Sequence, residues 1–169
     1  MLETNRLLIK PTNLDDAEFV LELMNTDGWI RFIGDRNVHT IEDAKNYISE
    51  KMLPQLEEFG FGNNTLIRKA DHAKIGSCGM YLRPGMEGAD IGFALLPEFY
   101  GQGYAYEASK ALLDYSVETL KLPLIQAITT KVNVDSQTLI TKLGMKFIEV
   151  RDITGISEPM LVYRYGEAQ

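Results

Sequence analysis

Cysteine is almost missing from this sequence. Cys78 stands alone among 169 residues, so no internal disulfide can form, which fits a reducing, cytoplasmic setting. It lies in Lys74-Ile75-Gly76-Ser77-Cys78-Gly79-Met80, an apolar strand-like run, where a small buried filler is expected rather than a nucleophile. Histidine is nearly as scarce. His39 and His72 are far apart in the chain and lack metal-ligand spacing, so no metal site is expected; His39 reads as lying just before a helix and His72 as a turn residue. No apolar run is long enough to cross a bilayer. The opening MLETNRLLIK lacks the basic-then-apolar layout of a signal peptide, so a cytoplasmic protein without a membrane partner is expected. Basic charge is also in short supply: 17 Lys and Arg against 24 Asp and Glu give a net charge of −7. That balance argues against a basic face tracking nucleic-acid phosphates, so no direct nucleic-acid partner is expected. Repeats, linkers and low-complexity tracts are missing, and residues 1–169 read as a single domain with a proper core.

What is present is an ordinary globular mixture, 45% apolar and 24% charged. Arg6 to Lys10 reads as a first strand that Pro11 ends. Thr12 or Asn13 can cap a helix carrying Asp15 and Asp16 in its first turn and Leu14, Ala17, Val20, Leu21 and Met24 on its buried face. Asn25 to Asn37 reads as an aromatic loop holding Trp29 and Phe32. Thr40 and Asp43 resemble a capping box for a second helix whose extent Pro54 limits. Phe61 to Arg68 and Lys74 to Leu82 read as strands around a turn at Ala70 to Ala73. Pro123 to Lys131 reads as another strand, Asn133 as the cap of a short helix ending at Gly144, and Met145 to Arg151 and Pro159 to Tyr165 as closing strands. The order is β-α-α-β-β-β-α-β-α-β-β. The segment from Asp90 to Lys131 needs a crossover, which suits a parallel pair, while the hairpins elsewhere imply a mixed sheet.

The chain is organised around Ala89 to Ala108, ADIGFALLPEFYGQGYAYEA. Asp90 to Leu96 suits a buried strand, interrupted by Gly92, which marks a bulge or a close approach. Gly101-Gln102-Gly103-Tyr104-Ala105 follows, and then a helix with an apolar face at Ala105, Ala108, Leu112, Leu113, Tyr115, Ser116 and Leu120. At a helix start the first N–H groups lack partners and the dipole favours anions. Glycines there admit either a phosphate or simply a tight turn. A nucleotide-binding module is a poorer match, because the loop lacks the Lys-Ser/Thr of a P-loop and the third glycine of a dinucleotide loop.

Three pieces, in order and spanning nearly the whole chain, carry a family resemblance. They are Arg6-Leu7-Leu8-Ile9-Lys10-Pro11 with Asp15-Asp16-Ala17, Tyr100-Gly101-Gln102-Gly103-Tyr104-Ala105 with Glu107-Ala108, and Asn133-Val134-Asp135-Ser136 with Lys142-Leu143-Gly144-Met145. Together they resemble the GNAT superfamily of acyl-CoA-dependent N-acetyltransferases, in the branch of the ribosomal-protein N-terminal alanine acetyltransferases. The resemblance implies an α/β (α+β) fold with a mixed, mostly antiparallel sheet of about seven strands, a splayed parallel pair and about four helices. It implies acetyl-CoA and an amine as partners, and a monomer or homodimer. Backbone groups of Ala94, Leu95 and Leu96 would bind the pantetheine arm, Gly101, Gln102, Gly103, Tyr104 and Ala105 the pyrophosphate, and Asn133 and Ser136 the arm and its sulfur.

The match departs from the superfamily pattern at two places. The loop pattern Gln/Arg-x-x-Gly-x-Gly/Ala has Tyr100 at its first position. Many relatives carry a thiol-protonating Tyr seven residues after the Asn, where this chain has Ile140, so Ser136 becomes the expected acid. Asp90 and Glu98 are the two candidate bases; Glu107, in the first turn of the long helix, reads as structural. The expected activity is transfer of an acetyl group to a protein N-terminus or a small-molecule amine by direct attack in a ternary complex. The alternative is a non-catalytic acyl-CoA sensor that kept the cradle and lost turnover.

Overall fold

The apolar runs pair into one sheet. The computed structural model describes residues 1–166. Its strands are β1 (Leu2–Glu3), β2 (Leu7–Pro11), β3 (Asn63–Arg68), β4 (Lys74–Tyr81), β5 (Ala89–Leu95), β6 (Ile125–Thr129), β7 (Lys146–Arg151) and β8 (Met160–Arg164), in the spatial order β1-β2-β3-β4-β5-β6-β8-β7. Every pairing is antiparallel except that of β5 with β6. The sheet has one strand more than the seven or so expected, because two-residue β1 is too short to leave a periodic signal. The helices are α1 (Ala17–Met24), α2 (Asp27–Phe32), α3 (Ile41–Tyr47), α4 (Leu53–Phe59), α5 (Tyr104–Glu118) and α6 (Val134–Lys142). No helix among the described residues is long and apolar enough to cross a membrane.

Local chemistry sets the helix starts. Asn13 and Thr40 each cap a helix in reciprocal boxes with Asp16 and Asp43. Two expectations need correction. The loop from Asn25 to Asn37 contains α2, capped by Thr26, whose hydroxyl accepts the Trp29 N–H at 3.3 Å; six residues are too few to show helical periodicity. Pro54 does not end the second helix. The chain passes from α3 through a π-helical turn, Ile48–Met52, into α4, where Pro54 sits in the first turn and needs no N–H partner. The stop comes at Gly60, in the left-handed conformation.

Side chains alternate between the two faces of the sheet. On one face Cys78, Met80 and Ile91 are buried against α5, and the Cys78 sulfur lies 3.6 Å from the Ser109 hydroxyl. Burial pushes the Cys78 thiol up to about 12, so it is an inert filler. The opposite face carries a chain of polar groups beneath α1. The Tyr81 hydroxyl donates to Asn63 Oδ1 (2.5 Å), Asn63 Nδ2 to Thr12 Oγ1 (2.8 Å), and Thr65 to Asp16 Oδ2 (3.0 Å); the Thr12 and Thr65 hydroxyls are 2.9 Å apart. The Lys74 ammonium closes the chain, 2.6 Å from Asp16 Oδ1. Tyr81 also explains the interruption of β5. A Cβ at Gly92 would lie 2.9 Å from the Tyr81 ring, so the strand needs a glycine there.

Asp16 is fully buried. Burial alone would raise its pKa, but Lys74, the Asn13 N–H and the Thr65 hydroxyl together hold it below the ordinary carboxylate value. Its contribution to stability is therefore complete above the unfolded-state value, about 3.9, and is lost as pH falls through the lower folded value. We expect Asp16→Asn to cost about 1–3 kcal/mol at neutral pH, because it removes the buried charge that the Asn13 N–H and the Thr65 hydroxyl donate to and leaves the part-exposed Lys74 only the Asp15 carbonyl. Urea melts from neutral pH into acid should show the gap between the two proteins shrinking below pH 4 or so, as the native carboxylate is protonated.

Candidate active site

The parallel pair comes apart almost at once. β5 and β6 are in register only at Ala89 with Ile125 and Asp90 with Gln126, whereas β5 stays paired to β4 as far as Leu95 with Gly76. Gly92, Phe93 and Ala94 are accordingly half-buried in the middle of a central strand. The direction of the unpaired main-chain groups follows from alternation. Leu96 N–H donates to Ile75 O (2.9 Å), so Leu96, Ala94 and Gly92 turn their amides toward β4. Ala89 N–H donates across to Leu124 O (3.1 Å), so Ile91, Phe93 and Leu95 face the gap. On the other wall Tyr165 N–H donates to Ile125 O, which turns Ile128 into the gap. Unpaired strand edges on both walls suit an extended chain of amides. Of the three expected backbone positions, Leu95 keeps that orientation, Phe93 joins it, and the amides of Ala94 and Leu96 point to β4.

At the wide end of the gap lies the glycine loop. Gly101 and Gly103 have φ of +70° and +81°, values that other residues rarely adopt. A Cβ at Gly101 would meet nothing within 4 Å, and α5 starts at Gly103 without a side-chain cap, leaving its first N–H groups unpaired. Open space beside glycines at the positive end of a fifteen-residue helix fits a diphosphate. The loop is clamped from behind. Arg6 donates from Nη1 to Gln102 O (2.9 Å) and from Nε to Glu107 Oε2 (2.6 Å), its guanidinium lies 4.3 Å from the Tyr104 ring centre, and Thr4 donates to Glu107 (2.5 Å). Glu107 is thus structural, and the Tyr104 side chain is buried in the clamp. The Gln102 side chain donates to Glu98 O (2.8 Å) and shapes the same turn. Tyr100, at the atypical loop position, reaches toward α2; a Cβ on Gly28 would lie 2.7 Å from its hydroxyl.

The far wall carries Asn133 and Ser136. Asn133 Oδ1 caps α6 by accepting Ser136 N–H at 3.2 Å. Its amide nitrogen and the Ser136 hydroxyl make no hydrogen bond among the described residues, and both side chains are half-buried. Ile140 is 1% exposed, so the slot that holds a Tyr in many relatives is core here. Ala105 sits in the first turn of α5, next to the loop.

The two acids are not brought together. Six strand residues, about 20 Å, separate Asp90 from Leu96, and Glu98 lies beyond that on the exposed turn Pro97–Phe99 beside Tyr100. Asp90 is 2% exposed at the closed end of the gap, on the face opposite α5, with Arg83 Nε 2.6 Å from its Oδ1. Burial raises its pKa, against the pull of Arg83. Beside it, Gln126 Oε1 is buried without a hydrogen-bond partner. Arg83, Gln126 and Phe93 went unnoticed in the sequence. Gln126 left a signal there, as the one polar residue in the apolar run Leu122 to Ile128.

The model of the acetyltransferase (GNAT) domain matches residues 6–146. The chain is 28% identical over 145 residues to a Bacillus subtilis protein named as the uncharacterized N-acetyltransferase YnaD, covering 86% of this chain and 82% of that one. An acetyltransferase from Agrobacterium tumefaciens superposes with a TM-score of 0.82 at 25% identity, over 98% of this chain and 94% of the other. The ribosomal-protein-S5-alanine acetyltransferase of Vibrio fischeri shares the fold, with a TM-score of 0.80 at 18% identity over 96% and 94% of the two chains. Splayed strands, an uncapped glycine turn and a domain match over most of its length agree: this chain belongs to the GNAT family and is an acetyl-CoA-dependent acetyltransferase.

Proposed function

We propose that the protein, as a single domain over residues 1–169, transfers the acetyl group of acetyl-CoA to a primary amine by direct attack in a ternary complex. The acceptor is a small-molecule amine or a protein N-terminus. The observation that carries this reading is the half-open β5, with an anion cradle at one end of the gap and a buried carboxylate at the other. Acetyl-CoA supplies an activated thioester. The N–H groups of Gly101 to Ala105 hold its pyrophosphate, and Phe93, Leu95 and Ile128 offer main-chain groups to its amide-bearing arm. An N–H from β5 accommodates the negative charge that develops on the thioester oxygen. Asp90 takes a proton from the incoming ammonium, directly or through water, and the amine nitrogen bonds to the acyl carbon as the carbon–sulfur bond breaks. Asn133 steadies the arm and Ser136 returns a proton to the departing sulfur. Glu98, outside the gap, has no part in the proton transfer.

Gly103→Asp puts a carboxylate and a strained backbone into the cradle. Calorimetric titration should show acetyl-CoA binding weakened at least tenfold, about 1.4 kcal/mol, in a protein that still folds. Unchanged affinity would move the phosphates elsewhere.

Asp90→Asn should lower kcat by roughly 10²- to 10⁴-fold. Because burial raises the pKa of Asp90, the acidic limb of kcat/KM in the parent should lie above the ordinary carboxylate range, with activity lost as pH falls through it. A variant that keeps the same limb would show that another group is the base.

Ser136→Ala should reduce the single-turnover rate by roughly ten- to a thousandfold with little change in acetyl-CoA affinity, the pattern of an interaction made in the transition state. A rate within about twofold of the parent would leave solvent as the acid.

A further inference from the structure

The closed end of the gap holds more hydrogen-bonding capacity than the protein uses. Arg83 is fixed through Nε on Asp90 Oδ1 at 2.6 Å, and its two terminal nitrogens make no hydrogen bond among the described residues. Its side chain is 31% exposed beside a carboxylate that is 2% exposed. Tied through Nε alone, with its central carbon 5.6 Å from the Tyr81 ring centre, the guanidinium keeps both terminal nitrogens free, and its outer edge offers two parallel N–H donors, the geometry that recognises a carboxylate. Gln126 stands in register with Asp90 on the neighbouring strand, 1% exposed, with Oε1 lacking any donor. Such a buried acceptor is costly unless a ligand supplies an N–H. Tyr81, in register with Asp90 on the other side, turns its hydroxyl away to Asn63 on β3, where a Cβ on Gly79 would lie 2.6 Å from it.

The closed end therefore sets the Asp90 carboxylate and the unpartnered Gln126 Oε1 beside one charged donor fork, Arg83. We propose that the acceptor substrate is an amino carboxylate, a molecule carrying a free carboxylate as well as the amine, and that Arg83 is the residue that selects it. This rests on the reading above that the amine is deprotonated at Asp90. The ammonium lies against Asp90 and Gln126, and the carboxylate lies on the outer edge of Arg83. The substrate's two charges run head to tail against the Asp90–Arg83 pair, so all four alternate in sign. A polyamine would set a second cation against Arg83. A peptide N-terminus would offer it an uncharged carbonyl, which fills less of the fork.

The test is a panel of initial rates with saturating acetyl-CoA. It contains free α- and ω-amino acids, the carboxamides of the same amino acids, spermidine, and short peptides with Ala or Ser at the N-terminus. The free acid should exceed its own carboxamide in kcat/KM by about tenfold or more, as expected when a built polar site loses its partner. Arg83→Gln should collapse that ratio through a higher KM for the acid, and Arg83→Lys should restore part of it. Peptides, spermidine or carboxamides turned over as well as the free acids would overturn the proposal, as would an unchanged acid-to-amide ratio in Arg83→Gln. If that variant fails to fold, the ratio in the unaltered protein decides. Melting of the CoA-bound protein with and without amino acid separates this proposal from the activity it rests on. A shift that depends on Arg83 without any acetylation supports the carboxylate site and refutes the transfer. Turnover of carboxylate-free amines alone refutes the carboxylate site and upholds the transfer.

Discussion

The proposed site depends throughout on a parallel pairing that stops after two residues. β5 is committed to β4 along Asp90–Leu95, and β6 is committed to β8 along Gln126–Thr129. Each is the last strand of an antiparallel half, and α5 ties the two halves together by a crossover. Ala89–Ile125 and Asp90–Gln126 close the sheet at one end, and beyond them neither strand can leave its own partner to meet the other. The result is a line of unpaired backbone groups inside a sheet, a condition that folded proteins avoid unless something fills it. The amide-bearing arm proposed to bind between the walls would supply what each half of the sheet withholds from the other.

The two ends of that opening differ because different local devices build them. The wide end is backbone: positive-φ glycines, an uncapped helix, and a clamp from Arg6 to Glu107 and Gln102 that fixes the loop from the side away from the gap. The closed end is side chain. A separate polar chain leads away from it across β4, β3 and β2, from Tyr81 through Asn63, Thr12 and Thr65 to Asp16, with each hydrogen directed toward that buried charge. Asp16 thereby sets the orientation of a hydroxyl three strands away, and mutually polarising hydrogen bonds of this kind act as a unit. Burial pushes the Tyr81 phenol up, so it stays neutral and keeps its hydrogen for Asn63.

The features legible in the sequence are those that residues a few positions apart decide. Capping boxes at Asn13–Asp16 and Thr40–Asp43, the glycine turn before α5 and the Asn133 cap were readable because each is a local hydrogen-bond pattern. The succession of most strands and helices along the chain followed from the alternation of apolar runs and turns, whereas their spatial order in the sheet did not. What could not be read required strand register. Gly92 was visible as an anomaly, but only the pairing of Gly79 with Gly92 brings the Tyr81 ring over it. The choice of Phe93 over Ala94 as a gap-facing amide depends on which residues β4 has already engaged. Arg83, Asp90 and Gln126 come from a turn and two strands, with nothing in their spacing to join them. Short elements failed for a simpler reason: β1 and α2 complete too little of any period to be seen, and the π-turn before Pro54 departs from the period altogether.

Asp16 and Asp90 together show what separates a structural carboxylate from the one proposed as the base in the same small sheet. Both are buried, at 0% and 2% exposure, and each has a cation 2.6 Å away. Burial acts on them in the same direction, yet their pKa values move apart. Asp16 also receives the Asn13 N–H and the Thr65 hydroxyl, and these, with Lys74, overcome burial. Asp90 receives only Arg83, and burial wins. The difference is therefore the number of donors, not the presence of an ion pair. A carboxylate saturated with donors is held ionised and gives its free energy to the fold. One left short of donors holds its charge less securely, gains from taking up a proton, and opens onto the one place in the sheet where a new donor can arrive. By that measure the closed end of the gap is built for an incoming N–H, and the polar chain under α1 is built to be left alone.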